Sequence, residues 1–267
     1  MSEMTTQYHV TDRNRLVQLK ELGFIPRRFF DVGSSNGCWS KRVSEAFPQA
    51  AFELFEPLAD HAPAYRERMA QLLPERPLFR LHKIALGAEC RKTKMYLPPN
   101  VDGSTALNLG PHPPADWACL EVDMLTVDYV VQEFRVTAPD VMKLDTQGCE
   151  LNVLRGARQT LPQVQVLVIE CWLARNYGPG TPLFLEVAQW LREFDFHLWD
   201  VGEVWRDADG TLCSQDCFFL NARCPVSRLG SEPRRLSQSA PAAPRTESGP
   251  WFKRVRSLLN RHGQTSS

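Results

Sequence analysis

Between residues 28 and 222, short apolar runs alternate with longer stretches of helical periodicity. No other feature of the chain restricts its fold as much. A short apolar run reads as a strand and a longer amphipathic stretch as a helix. The runs are "RFFDVG" (28–33), "AAFELFEP" (50–57), "LFRLHKIALG" (78–87), "DVMKLDTQG" (140–148), "QVQVLVIECW" (163–172), "FHLWDVG" (196–202) and "CFFLNA" (217–222). Helices are predicted between them over 37–47, 58–73, 149–160 and 182–194, and ahead of them over 11–22. In that first helix Leu16, Leu19 and Leu22 recur at helical spacing, Thr11 or Asp12 can cap it, and Gly23 ends it. Strand–helix alternation builds an α/β fold, a parallel sheet with helices on both faces. "VLVIE" is apolar without alternation, as a central strand covered on both sides should be.

Composition narrows the function. The chain has 267 residues, 43% hydrophobic and 23% charged, which suits one soluble domain with a real core. Its formal net charge is zero, so no global basic field points to nucleic acid as a partner. Met1 to Lys20 has no apolar signal segment, and nothing reaches the roughly 18 apolar residues that span a bilayer, so a cytoplasmic location is expected. The eight cysteines are scattered and read as free thiols. Cys213, Cys217 and Cys224 lie close together but lack paired zinc-site spacing, so no metal site is expected there.

Two segments break the rhythm. Residues 88–127 hold a polar hairpin-like piece, a Pro-rich loop and a strand candidate, "CLEVDMLTV", and read as a lid or substrate insertion. Residues 225–250 are rich in Ser, Pro and Ala and read as a disordered linker that closes the domain at 224. Beyond it, 251–262 ("WFKRVRSLLNRH") places Trp251, Phe252, Val255, Leu258 and Leu259 on one helical face and basic residues on the rest. Such a helix can lie on an anionic membrane surface at the inner membrane, dock on a protein, or pack back on its own domain. Residues 225–267 carry eight Lys/Arg and two Asp/Glu, a balance of +6.

The loop after the first strand, "FFDVGSSNGCWS" (29–40), is the main candidate for a binding site. A loop there lies at the carboxyl end of the sheet, where open α/β folds take ligands. It fails the dinucleotide pattern, because Ser35 and Cys38 stand where two glycines are needed, and it lacks the Gly-Lys-Ser/Thr of a phosphate loop. What remains, Asp31-x-Gly33-x-x-x-Gly37, suits S-adenosylmethionine, which presents a carboxylate and an ammonium. Amides from Gly33 through Ser34, Ser35 and Asn36 to Gly37 can meet the carboxylate, and Asp31 the ammonium. Glu56 ends the second strand 25 residues beyond Asp31 and can accept the hydroxyls of a ribose.

At this point the chain resembles the FkbM-type methyltransferases. "FFDVGSSNGCWS", "FELFEP", "KIALG", "VMKLDTQGCELNVLRGA" and "LVIECW" match the motifs of that family in order, over roughly residues 15–222. The resemblance implies a Rossmann-like class I methyltransferase fold: a mostly parallel seven-stranded sheet, helices on both faces, and an antiparallel last strand. It also implies S-adenosylmethionine as methyl donor and a hydroxyl acceptor on a natural product or sugar. Ala85 and Leu86 are expected to wall the adenine. Ser104 and Thr105 match a Ser/Thr pair of the family at the active site. Ser35 departs from the alanine usual there.

An alcohol that accepts a methyl group must be positioned in line with the leaving sulfur and must lose its proton. Asp145 ends "VMKLD" and is the first choice for base or orienting group; Glu170 ends "VLVIE" and is the second. Together they could also hold a divalent ion, but two carboxylates are too few to specify one. Glu150 reads as a helix cap or ion-pair partner and Lys143 as a partner for an acid, with no further role. Trp39, Trp172, Trp199 and Trp205 can line a ring pocket or pack in the core. The expected acceptor is a sugar or glycan hydroxyl. The competing readings are a polyketide, amine or lipid acceptor for the same donor, or a scaffold that keeps the fold without catalysis.

Overall fold

The computed structural model describes residues 11–110 and 113–227. The predicted basic helix at 251–262, and the linker from residue 228 onward, lie outside the described residues.

The first helix, α1 (Asp12–Glu21), starts where Thr11 accepts the Asn14 amide at 3.3 Å and stops at Gly23, whose φ of 102° is open to glycine at little cost. Leu16 and Leu19 are buried; Leu22 is not. Six further elements follow: β1 (Arg28–Val32), α2 (Cys38–Ser44), β2 (Ala51–Phe55), α3 (Pro63–Glu75), β3 (Phe79–His82) and β4 (Ala85–Leu86). The insertion supplies β5 (Arg91–Leu97) and β6 (Ala118–Leu125) and leads into α4 (Val127–Glu133). The chain then runs through β7 (Val141–Leu144), α5 (Glu150–Arg155), β8 (Val166–Trp172), α6 (Phe184–Leu191), β9 (Phe196–Arg206) and β10 (Leu212–Asn221).

Seven strands form one sheet in the order β3-β2-β1-β7-β8-β10-β9. Neighbours from β3 to β8 run parallel, and β10 runs antiparallel to both β8 and β9, as expected for the last strand. Successive side chains on a strand point to opposite faces, and the core divides accordingly. Phe30, Val32, Met142, Leu144, Leu167 and Ile169 pack with α4, α5 and α6. Phe29, Phe52, Val141, Val166 and Val168 pack on the other face with α1, α2 and α3. Helices therefore cover both faces, three to a side.

Three expectations are corrected. The run 78–87 is not one strand. Residues 79–82 pair with β2, while Ala85 and Leu86 pair with Met124 and Leu125 of β6 in a second, three-stranded sheet, β4-β6-β5. The insertion at 88–127 thus supplies the partner of β4 and the strand beyond it, since β5 and β6 form an antiparallel pair. Its end also holds the start of an unexpected helix: Thr126 caps α4 by accepting the Tyr129 amide at 3.0 Å, and Val127 and Val130 are fully buried. The predicted helix over 58–73 begins later, at Pro63, because proline fits the first helical turn, where no amide hydrogen bond is required.

Candidate functional site: the cavity between β1 and β7

The strand order turns back at β1, with β2 on one side of it and β7 on the other. The loops leaving two such strands diverge and open a crevice at the carboxyl edge of the sheet. The loop after β1 meets the loop after β7 at Gly33. Its φ is 77°, and a Cβ there would stand 1.9 Å from the Asp145 carbonyl oxygen. The close approach that requires glycine is therefore backbone against backbone. Gly37 (φ 76°) lets α2 start against α3, since a Cβ would lie 2.6 Å from a Leu72 methyl.

Glu56, one residue past β2, is buried at 5% exposure. Its two oxygens accept the amides of Ser35 and Leu58, each at 2.8 Å, so the acid is fixed to the glycine loop on one side and to its own turn on the other. Burial pushes its carboxyl up to about 7 against these donors.

These residues line a cavity with about 850 Å³ of empty space, open on one side. Gly33, Ser35 and Glu56 form one wall with Val32 and Phe55; Ala85, Leu86, Ile84 and Met95 form an apolar one; Asp145, Thr146, Gln147 and Ser104 close the end. Of the residues singled out in the sequence, Gly33, Ser35, Glu56, Ala85, Leu86 and Asp145 stand in the lining. The remainder of the loop turns inward. Ser34 gives its amide to Phe55, Asn36 caps the Cys38 amide at 3.0 Å, and Gly37 bonds back to Ser34. The Ser34 and Gly37 amides thus have internal partners, in contrast to the carboxylate cradle expected of them.

Asp31 also differs from expectation. It has no exposure and lies outside the lining, where it accepts the Ser40 hydroxyl at 2.6 Å and stands 3.5 Å from the Lys143 ammonium. Side chains on β1 alternate, so Asp31 points to the face of Phe29 and α2, where Ser40 sits. Lys143, expected only to pair with an acid, pairs with two. On β7, in register with Asp31, it reaches Asp145 at 3.1 Å and packs over Trp39 at 5.6 Å. Burial works against its charge, but Asp145 and Asp31 hold the ammonium well above the ordinary lysine range. Burial likewise works against an ionised Asp145, and Lys143 overcomes it, keeping that carboxyl below its usual value. The Asp145 side chain is 35% exposed, toward the cavity it lines.

Glu170 does not line the cavity. Gln147 lies between the two acids and donates to Asp145 at 2.6 Å and to Glu170 at 3.0 Å, while Ser214 donates to the other Glu170 oxygen at 2.9 Å. Burial first, and then the nearby Asp145 charge, raise Glu170 well above the normal carboxylate range. The pair is pushed apart, Asp145 below the usual carboxylate range and Glu170 above it. Gln147 holds its place with φ 54° and accepts the Tyr177 hydroxyl at 2.6 Å. Thr105 is fully buried and donates to the Gln147 carbonyl at 2.7 Å, while its partner Ser104 reaches the cavity. Glu150 caps its own helix by accepting the Thr146 amide at 2.9 Å and the Gly148 amide at 3.1 Å. Among the described residues, no helix is long and apolar enough to cross a membrane.

Comparison with solved structures finds resemblance at low identity. An FkbM methyltransferase from Methylobacillus flagellatus is similar over 73% of this chain and 43% of its own length, with 16% identity and a TM-score of 0.45. This chain thus spans less than half of that protein. A SAM-dependent methyltransferase from Aquifex aeolicus is 14% identical over 79% of this chain and 91% of its own, with a TM-score of 0.41. An O-methyltransferase family protein from Burkholderia thailandensis is 12% identical over 78% and 55%, with a TM-score of 0.39. A search of curated protein sequences returns no match. The family model of the methyltransferase FkbM domain matches residues 31–198, from the buried acid of β1 into β9 and through the whole cavity lining, and the chain belongs to that family.

Proposed function

We propose that this chain transfers the methyl group of S-adenosylmethionine, the donor of its family, to a hydroxyl oxygen on a sugar or glycan. The cavity fits the donor. Glu56 is a buried carboxyl raised to about 7 that gains from further hydrogen-bond donors, and the vicinal diol of a ribose supplies two. Ala85, Leu86, Ile84 and Met95 offer an apolar wall for adenine, and Ser35, Asp145 and Thr146 polar groups for the amino-acid end. When bound, S-adenosylmethionine supplies a methyl carbon on a positively charged sulfur, open to in-line displacement.

The observation that carries the reading is Asp145. It stands in the cavity wall, ionised by its contact with Lys143 and steadied by Gln147. A charged carboxylate in that place orients a hydroxyl by accepting its hydrogen bond and takes the proton as the oxygen forms its new bond. A carboxyl held below its usual value is a modest base, so positioning contributes more than proton abstraction. Glu170 acts through Gln147 as a positioning residue.

Calorimetry with S-adenosylhomocysteine tests the donor half of the reading. Saturable binding is expected, and no heat at millimolar ligand rejects it. Mass spectrometry of glycans from cells with and without the gene tests the acceptor half. A mass difference of one methylene unit is expected, and identical spectra reject a glycan acceptor.

A further inference from the structure

A second groove lies beside the cavity, with about 870 Å³ of empty space. We infer that it is the acceptor subsite, and that it takes a pyranose ring, stacked by its C–H face on Trp205 and Trp117 and hydrogen-bonded through its oxygens to the Trp172 indole N–H, Asp102 and Asn176. The inference rests on the methyl-transfer reading above and names the substrate class for it.

Three observations carry it. First, the walls are aromatic and only partly committed to the core. Trp172, at the end of β8, is 3% exposed and meets Tyr177 edge-on at 5.2 Å and Trp205 at 6.2 Å. Trp205 is 50% exposed on β9, a strand at the margin of the sheet. A large ring left half in water beside a groove is a contact surface that core packing does not explain.

Second, the buried Trp172 indole N–H has no hydrogen-bond partner among the described residues. An indole nitrogen only donates, and since no described residue accepts from it, an oxygen brought by a ligand would satisfy it. A sugar hydroxyl or ring oxygen supplies one, whereas an all-carbon aromatic ring does not. Asp102 and Asn176 in the same lining ask for the same chemistry.

Third, the groove is continuous with the donor cavity. Asp102 and Gly103 line both spaces. Tyr177 forms the partition: its hydroxyl donates to Gln147, and Gln147 donates to Asp145, each at 2.6 Å. A Cβ at Gly103 would come within 3.0 Å of that hydroxyl, so the partition is closely fitted. Two hydrogen bonds thus join the aromatic groove to the ionised carboxylate that receives the acceptor's proton.

Saturation-transfer NMR on the full chain with S-adenosylhomocysteine present tests this, using methyl glycosides of a hexose and a 6-deoxyhexose as probes and the naphthalene derivative 1-naphthylmethylammonium, which has no acceptor oxygen, as a flat control. Transfer to the glycoside ring protons is expected. Trp205→Ala, on an exposed position that leaves the fold intact by thermal melting, should weaken glycoside binding about tenfold. Trp172→Phe, which keeps a ring and removes the N–H, should weaken it too. The affinity for S-adenosylhomocysteine should stay within about twofold in both. No transfer to either glycoside, equal transfer in both variants, or transfer to the naphthalene alone overturns the inference. If the unaltered chain fails to bind S-adenosylhomocysteine while glycoside binding still depends on Trp205, the groove stands and the donor reading falls.

Discussion

Glu56 and Gly33 show how single residues set this site. Glu56 holds the glycine loop to the end of β2 through the Ser35 amide, so its loss removes a ligand partner and frees the loop. Glu56→Ala should weaken S-adenosylhomocysteine binding roughly tenfold to a hundredfold by calorimetry; unchanged affinity would exclude the acid from the donor site. Asp145→Asn should lower kcat by about two to four orders of magnitude while the protein still binds S-adenosylhomocysteine. Gly33→Ala should cost on the order of 3 kcal/mol or more in urea unfolding, because its methyl would collide with the Asp145 carbonyl. Both Gly33 and Glu56 were legible in the sequence, since each stands at a strand end where spacing alone gives the location. Lys143 was not. In "VMKLD" it looks like the polar member of a half-buried strand, and only the register with Asp31 reveals a buried cation between two acids. The inward turn of Asp31 was hidden for the same reason: the alternation that decides its face cannot be phased before the neighbouring helices are placed.

At the scale of elements, α5 depends on an unusual cap. Glu150 is fully buried, and its carboxylate accepts backbone amides from the turn that carries Thr146 and Gly148. That turn also presents Gln147 to both acids, so the cap fixes the site as well as the helix. Glu150→Ala should lower stability by about 2–3 kcal/mol in urea unfolding; a change below half a kilocalorie would mean that solvent replaces the carboxylate. Elements with a clear apolar run were legible, above all β1, β7 and β8. The break between β3 and β4 was not, because "LFRLHKIALG" has no glycine, proline or other turn residue at His82 and Lys83, and the divergence there depends on a partner strand about 40 residues later. α4 was missed because its two buried valines continue a run that already reads as strand.

For the molecule as a whole, the buried acids set how stability varies with pH. Glu56 and Glu150 both titrate at about 7 in the folded chain, chiefly because of burial, against 4.5 for an unperturbed glutamate. Between those values the folded state binds more protons than the unfolded one, so stability is greatest below about 4.5 with respect to these groups and falls as pH rises toward 7. Urea unfolding of the ligand-free protein should show that decline, and Glu150→Gln should flatten it; a rise over the same range would contradict the assignment. The sheet order was legible as a class from strand–helix alternation, but the division of helices between faces rests on contacts that no local pattern encodes. The Lys143 ammonium, finally, is shut away at the line where β1 and β7 meet, its side chain only 7% exposed. Amine-directed acetylating reagents should pass it by in the native protein and modify it once the two strands separate. Peptide mass mapping of that one lysine would then time the opening of the sheet at its midline.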